Sequence, residues 1–226
     1  MENFEDHPYL TADGSHSLYA PRFNQHYHSK QGAIMESEHI FINLGLLPVF
    51  NNATTREVSV FEMGLGTGLN ALLAWKVADE LKQRIRYTAV EAYPIPPEMA
   101  VLLNYEQAAG KSGLSAIHDA GWGAEFTFSE FFKFQKQQVF LQDFQPADQF
   151  DVIFFDAFSP VAQPELWTKE VFSAMFSMLK NQGVLVTYSS KGVVRRAMQA
   201  AGFIVEKHPG PGYKREVVRA LKSTDG

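Results

Sequence analysis

The sequence predicts an α/β fold built on an open, mostly parallel sheet with an antiparallel hairpin at its C-terminal end. Three observations carry this expectation. Short apolar runs alternate with amphipathic stretches over most of the chain, the rhythm of strand–helix–strand units. A glycine-rich turn, Gly64-Leu-Gly66-Thr-Gly68, separates an apolar run at 58–61 from a helical opening at 69–75. Two closing runs, 203–207 and 215–221, flank the turn-forming His208-Pro-Gly-Pro-Gly-Tyr213 and read as a terminal hairpin.

Composition narrows the class. With 226 residues, 46% hydrophobic and 13% aromatic, the chain suits one packed domain with some decoration. The absence of cysteine excludes disulfides, cysteine-rich zinc sites and thiol nucleophiles, and suits a reducing cytoplasm. No apolar run approaches the roughly 20 residues of a membrane span, and the acidic N-terminus lacks the basic start of a secretory signal. A net charge of −5 argues against nonspecific coating of nucleic acid but leaves room for a local basic face.

Taken in order, residues 1–50 form an N-terminal extension ahead of the sheet-bearing domain, 51–226. Asp13-Gly14-Ser15 is a turn signal, Ser17-Leu18-Tyr19 a strand start, and 36–44 a helix delivering Ile40, Phe41 and Leu44 to the core before Gly45 stops it. His26, His28 and His39 lie near Glu36 and Glu38, but the spacing fits no compact zinc pattern. No metal is expected; the extension reads as a lid or substrate wall. A polar loop, 51–55, then leads into the strand at 58–61.

The glycine turn is the first chemical centre. Dinucleotide loops space three glycines G-x-G-x-x-G and seat a pyrophosphate on the helix N-terminus. Here the third glycine comes one residue early and Glu62 precedes the first. A carboxylate there repels a pyrophosphate and attracts a cation. S-adenosylmethionine carries an ammonium and a sulfonium and no phosphate, so Glu62, Gly64, Gly66 and Gly68 point to that cofactor.

A helix over 69–83 with a basic end follows, then a strand at 85–90 closing on Glu91. An acid at that position commonly bonds the ribose hydroxyls of an adenosine ligand; the plainer alternative is a loop carboxylate. The prolines at 94, 96 and 97 break the chain, 98–109 restarts as a helix, and His118-Asp119 reads as loop. The alternating 125–134 segment reads as an extra hairpin, and its phenylalanines as core packing ahead of a base-stacking surface. The third parallel strand is placed at 139–143, with Asp143 as partner for the adenine amino group.

The second centre is Phe150-Asp-Val-Ile-Phe-Phe155-Asp156. A continuous apolar run suits a strand buried on both faces, and it ends in a carboxylate where open parallel sheets bind ligands. Asp156 would there face the transferable group. A helix at 169–179, a stop at Asn181-Gln-Gly183, a strand at 184–188 and a basic helix to 201 complete the domain. Lys191, Arg195, Arg196, Lys207, Lys214, Arg215 and Arg219 gather in this last quarter. They form either a phosphate-binding surface or solvated helix and edge-strand faces.

Together the motifs Glu62-x-Gly-x-Gly-Thr-Gly-Leu-Asn70, Asp156-Ala-Phe158-Ser-Pro160-x-x-x-Pro-Glu-Leu-Trp167 and Gly-Tyr-Lys214-Arg215-Glu216 resemble one bacterial family. It is the tRNA 5-aminomethyl-2-thiouridine methyltransferase family, MnmD-like, also found as the methyltransferase half of the bifunctional MnmC enzyme. The resemblance spans nearly the whole chain. It implies a class I S-adenosylmethionine-dependent methyltransferase fold, Rossmann-like, that completes 5-methylaminomethyl-2-thiouridine at the wobble position. It implies Asp156 as catalytic carboxylate and Glu62, Gly64, Gly66, Gly68, Asn70 and Glu91 around the cofactor. Phe158, Pro160, Trp167, Lys191, Arg195, Arg196, Lys214 and Arg215 would meet the anticodon stem-loop of tRNA. Two departures stand out: Val217 follows Lys-Arg-Glu where methionine is expected, and Gln142 precedes Asp143 where glycine is usual. The chain has no length for the flavin oxidase domain of the bifunctional relatives. Two other readings stay open: a polyamine synthase-like aminopropyltransferase, whose usual Gly-Gly-Gly-Asp-Gly loop is absent, and a non-catalytic RNA- or partner-binding module.

Overall fold

The computed structural model describes residues 8–52, 57–212 and 216–223. The strand ahead of the glycine turn, β1 (Glu57–Met63), is central in an eight-stranded sheet. In chain order the others are β2 (Arg84–Val90), β3 (Glu125–Ser129), β4 (Phe132–Gln137), β5 (Phe150–Phe155), β6 (Leu179–Thr187), β7 (Ile204–Pro209) and β8 (Glu216–Leu221). Across the sheet the order is β7-β8-β6-β5-β1-β2-β4-β3. The five inner strands β6, β5, β1, β2 and β4 run parallel, and β3, β7 and β8 attach antiparallel.

Why β1 and β5 are so apolar follows from the layers above and below them. Val60, Val152 and Phe154 join the core under the N-terminal helix and α1 (Leu69–Leu81). Phe61, Ile153 and Phe155 join the opposite core under α2 (Lys169–Met178) and α3 (Gly192–Ala200). A strand covered on both faces cannot alternate polar and apolar residues, as the sequence anticipates.

The N-terminal helix departs from the expectation. It begins at Ala33 rather than 36, runs as a π-helix over Glu38–Leu46, and ends at Asn52. Gly45 does not stop it. Instead Gly45 is where helix and sheet touch: a β-carbon there would lie 2.8 Å from Val186 Cγ2 and 3.2 Å from Phe154. Ile42 is buried in the core, whereas Leu44 is only partly covered. Residues Ala33–Asn51 are long and apolar enough to cross a membrane by composition alone, which the run-length expectation missed. Here Ile40, Phe41 and Leu46 of that helix are buried against the sheet.

Other corrections are local. Residues 98–109 form two short helices, Pro97–Ala100 and Tyr105–Ala109, because Asn104 between them turns its amide to His16 N and Gly14 O. His118 lies in a helix, Leu114–Asp119, rather than a loop. The third parallel strand is β4, not 139–143. Phe132, Phe134 and Lys136 supply its buried face, whereas Phe140 is half exposed and Leu141–Asp143 turns as a 3-10 helix. Asn181-Gln-Gly183 is a bulge within β6 rather than a stop, with Gln182 at φ 64°. The terminal hairpin is present, extending to a Pro209–Glu216 pair. Pro209 is tolerated because β7 is an edge strand.

Gly45→Val should therefore overpack the helix–sheet seam. We expect a loss of about 1–3 kcal/mol in urea unfolding, with the midpoint lowered and the slope unchanged. An unchanged midpoint would show that the seam yields freely.

Candidate active site

The glycine turn is held by its own surroundings. Gly64 N and Leu65 N both donate to Val90 O, at 3.0 and 3.2 Å, and Gly68 N donates to Leu65 O. Gly66 N donates to Glu91 Oε2 at 2.9 Å. These four amides are thus engaged within the protein, and a carboxylate sits where a dinucleotide loop would receive phosphate. Gly64 adopts φ +89°, and a β-carbon would stand 2.9 Å from the backbone oxygen of Asp156. Only glycine lets the loop pass so close to that carboxylate's backbone. Gly68 caps the start of α1.

The first turn of α1 carries Asn70, whose Nδ2 donates to Glu62 Oε1 at 3.0 Å and to Asp156 Oδ2 at 2.9 Å. One amide therefore bridges the carboxylates that end β1 and follow β5. Glu62 is fully buried, with the buried Tyr87 hydroxyl beside its carboxyl group. Burial pushes the Glu62 carboxyl well above the ordinary range, opposed by the Asn70 hydrogen bond and helped by the Asp156 charge. Glu91 is also raised by burial, against the backbone amides of Tyr93 and Gly66 that its two oxygens accept.

These groups surround a cavity of about 430 Å³, within the range of small-molecule sites. Glu36, Glu91, Asp156 and Glu165 line it, and among the described residues no lysine or arginine does. His28 adds no positive charge at neutral pH, because burial lowers its pKa to about 4. An acidic, phosphate-averse pocket fits a cationic adenosyl ligand. Asn70, Glu91 and the turn from Gly64 to Thr67 line it and would hold that ligand, with Glu62 behind Asn70.

Asp156 leads a loop whose backbone is held by side chains. Its own N–H donates to Met63 O at 3.0 Å. Tyr188 Oη donates to Ala157 O at 2.9 Å. Phe158 N–H donates to Gln163 Oε1 at 3.1 Å, and Trp167 Nε1 donates to Phe158 O at 2.8 Å. Phe158 lines the pocket.

Several expected site residues fall elsewhere. Trp167 is buried and steadies Phe158 from behind rather than facing a ligand. Pro160 is not part of the pocket wall, and Asp143 is exposed outside it, where Phe140, Leu141 and Gln142 line that end. Gly68 and Glu62 lie behind the wall. Lys191, Arg195 and Arg196 sit at the start of α3, just beyond the pocket-lining Tyr188, with Arg195 Nε donating to Ser190 O. Lys207 pairs with Glu216 and Arg219 with Glu206, which marks them as hairpin guards. Lys214 and Arg215 lie outside the described residues. Among the described residues, no group of three metal-ligating side chains gathers. The sequence reading missed Gln25, Gln163 and Tyr188, whose only signal was proximity to the motifs.

A family described as S-adenosyl-L-methionine-dependent methyltransferase matches residues 131–223. The bifunctional tRNA 5-methylaminomethyl-2-thiouridine biosynthesis protein MnmC of Ralstonia nicotianae is 28% identical over 96% of this chain and 34% of its own length. The corresponding protein of Chromohalobacter salexigens is 28% identical over 91% of this chain and 31% of its own. The chain thus spans about a third of the curated relatives it matches. Among solved structures, MNMC2 from Aquifex aeolicus superposes with a TM-score of 0.77 at 24% identity, covering 100% of this chain and 72% of that one. Spermidine synthase from Thermotoga maritima shares the fold more loosely, with a TM-score of 0.52 at 16% identity over 92% of this chain and 68% of that one. The fold is that of class I methyltransferases, the matching family is described as S-adenosylmethionine-dependent, and the matches agree with the family resemblance of the motifs.

Glu62 gives a pH test. An acid with a raised folded-state pKa holds its proton in the folded chain after the unfolded chain has released it. Stability therefore falls as pH rises from the ordinary value of 4.5 toward the raised one. Glu62→Gln should remove that loss: without cofactor, Tm at pH 8 rises by about 3 °C, the effect of ~1 kcal/mol in a domain of this size. The slope between pH 5 and 8 shrinks without vanishing, because Glu91 shifts the same way. Equal slopes in both proteins would remove Glu62 as a buried titrating acid.

Proposed function

We propose that the protein methylates the aminomethyl nitrogen of 5-aminomethyl-2-thiouridine at the tRNA wobble position, giving 5-methylaminomethyl-2-thiouridine. The observation that carries the reading is the Asn70 bridge, which holds the Asp156 carboxylate against the glycine turn. The motif resemblance and the MnmC relatives supply the substrate. The cytoplasm is the compartment that this role requires.

When bound, S-adenosylmethionine supplies a methyl group activated by its positively charged sulfur. The acceptor is an alkylamine, mostly protonated at neutral pH and then unable to attack. Asp156 binds this ammonium and guides one proton away, freeing the nitrogen lone pair. In-line transfer of that methyl group to the freed nitrogen would need no covalent help from the protein, so the chain's main task is positioning. Asn70 fixes Asp156 Oδ2 for that purpose, and Tyr188, Gln163 and Trp167 fix the loop that presents it. Phe158 offers the aromatic wall on which an extruded base stacks. Lys191, Arg195 and Arg196 provide phosphate contacts close to the pocket.

The test is nucleoside mass analysis of tRNA carrying the aminomethyl precursor, with and without protein and S-adenosylmethionine. Asp156→Asn should lower kcat by about 10²-fold or more while cofactor affinity stays within a few-fold. Unchanged turnover would remove Asp156 from the chemistry. Aminopropyl transfer to putrescine from the decarboxylated cofactor would favour the polyamine synthase reading instead. For the RNA surface, Lys191→Glu with Arg196→Glu should weaken tRNA binding and reduce the salt slope by about 2. An unchanged slope would place the phosphate contacts elsewhere.

A further inference from the structure

The short segment 23–27 crosses the mouth of the pocket, and three of its side chains work on the same site. Phe23 stacks on Phe158 with ring centroids 4.3 Å apart and meets Tyr93 edge-on at 5.7 Å. Tyr27 meets Phe158 edge-on at 5.0 Å. The Tyr27 ring also covers the glycine turn, 3.1 Å from where a β-carbon on Gly66 would stand. Between them Gln25 Nε2 donates to Ser159 Oγ at 2.6 Å, and Gln25 Oε1 accepts from Ser159 N at 3.2 Å. The intervening His26 packs against Tyr9 and Tyr19, at 4.5 and 5.3 Å. Gln25 and Tyr27 flank His26 on one face of the short strand Gln25–His26, and Phe23 reaches the same site from the 3-10 turn Pro21–Phe23 through a left-handed Asn24.

The Gln25 pairing is specific. Both functional groups of one primary amide fall on one residue, 134 positions away in sequence and three beyond Asp156. The ties described above for residues 156–158 come from the sheet domain. The Ser159 amide is tied to the N-terminal segment.

We infer that Gln25 is a positioning residue: it fastens residues 23–27 as a strap over the cofactor pocket and so sets the Phe158 wall beside Asp156. This rests on the methyltransferase reading above. With the strap fastened, Tyr27 roofs the turn that would hold the cofactor, so exchange of spent for fresh cofactor requires the strap to lift. Two neutral hydrogen bonds and a few ring contacts suit a closure that opens in each catalytic cycle. The same contacts stack Phe23 on one face of Phe158 and so set its other face, which makes closing the pocket and setting the Phe158 wall a single event.

The experiment compares wild type, Gln25→Met, which keeps side-chain length and loses both hydrogen bonds, and Ser159→Ala, which loses only the hydroxyl. Amide hydrogen exchange of residues 19–28 in the ligand-free proteins should be about 10-fold faster in Gln25→Met and intermediate in Ser159→Ala. S-adenosylhomocysteine should dissociate about 10-fold faster from Gln25→Met. The kcat for tRNA methylation should fall by a similar factor at unchanged KM for tRNA, a split that general destabilisation would not produce. Exchange and dissociation rates within twofold of wild type would overturn the inference. Should Gln25→Met fail to fold, Ser159→Ala carries the same comparison. If wild type does not bind S-adenosylhomocysteine, the methyltransferase reading falls, and the exchange rates of the free proteins still decide whether Gln25 fastens the strap.

Discussion

One side-chain amide holds the site together. Asn70 donates to Glu62 and to Asp156, two carboxylates brought side by side because β1 and β5 are parallel neighbours. Left alone, two such groups in a buried place would repel one another and resist desolvation. The amide satisfies one oxygen of each, and Glu62 relieves the remaining strain by favouring its protonated form. The glycine turn exists to deliver Asn70: it passes against the Asp156 backbone at Gly64 and starts α1 at Leu69, so that the next residue faces both acids. Replace the turn and the two acids lose their common partner.

The loop after Asp156 extends the same logic to the backbone. Tyr188 and Gln163 hold the two ends of the 157–158 peptide group, and Trp167 holds the 158–159 group. This accounts for a motif that runs as far as Trp167. Its distal residues act on the geometry of the proximal ones, and a tryptophan that reads from sequence as a ligand contact is instead a buried brace.

What the chain discloses in advance follows from the range of the forces involved. The glycine turn, β1, α1 and the run at 150–155 are legible because their signals are local: periodicity, an acid, three glycines within five residues. Residues 139–143 mislead because a short apolar run cannot distinguish a strand from a pocket edge, and here half-exposed Phe140 belongs to the edge. Gly45 misleads because glycine stops helices by conformation but also permits close packing, and the nearness of Val186 is invisible without the sheet. Gln25, Tyr27 and Tyr188 carry no periodic or spacing signal at all. Their place at the site is set by contacts between distant parts of the chain. Asp143 is read from the end of an expected strand and Trp167 from a motif, and position alone does not say which way a side chain turns.

The separation between Gln25 and Ser159 has a consequence for how the molecule is made. The segment that closes the pocket leaves the ribosome well before its anchor, which emerges 134 residues later. Until β1, β2 and β5 have paired, Phe23 and Tyr27 have no wall to rest on, and bridging so long a loop early carries an entropic cost without reward. The N-terminal aromatics therefore wait, exposed, while the sheet condenses, and settle last. The strap is made long before the wall on which it comes to rest.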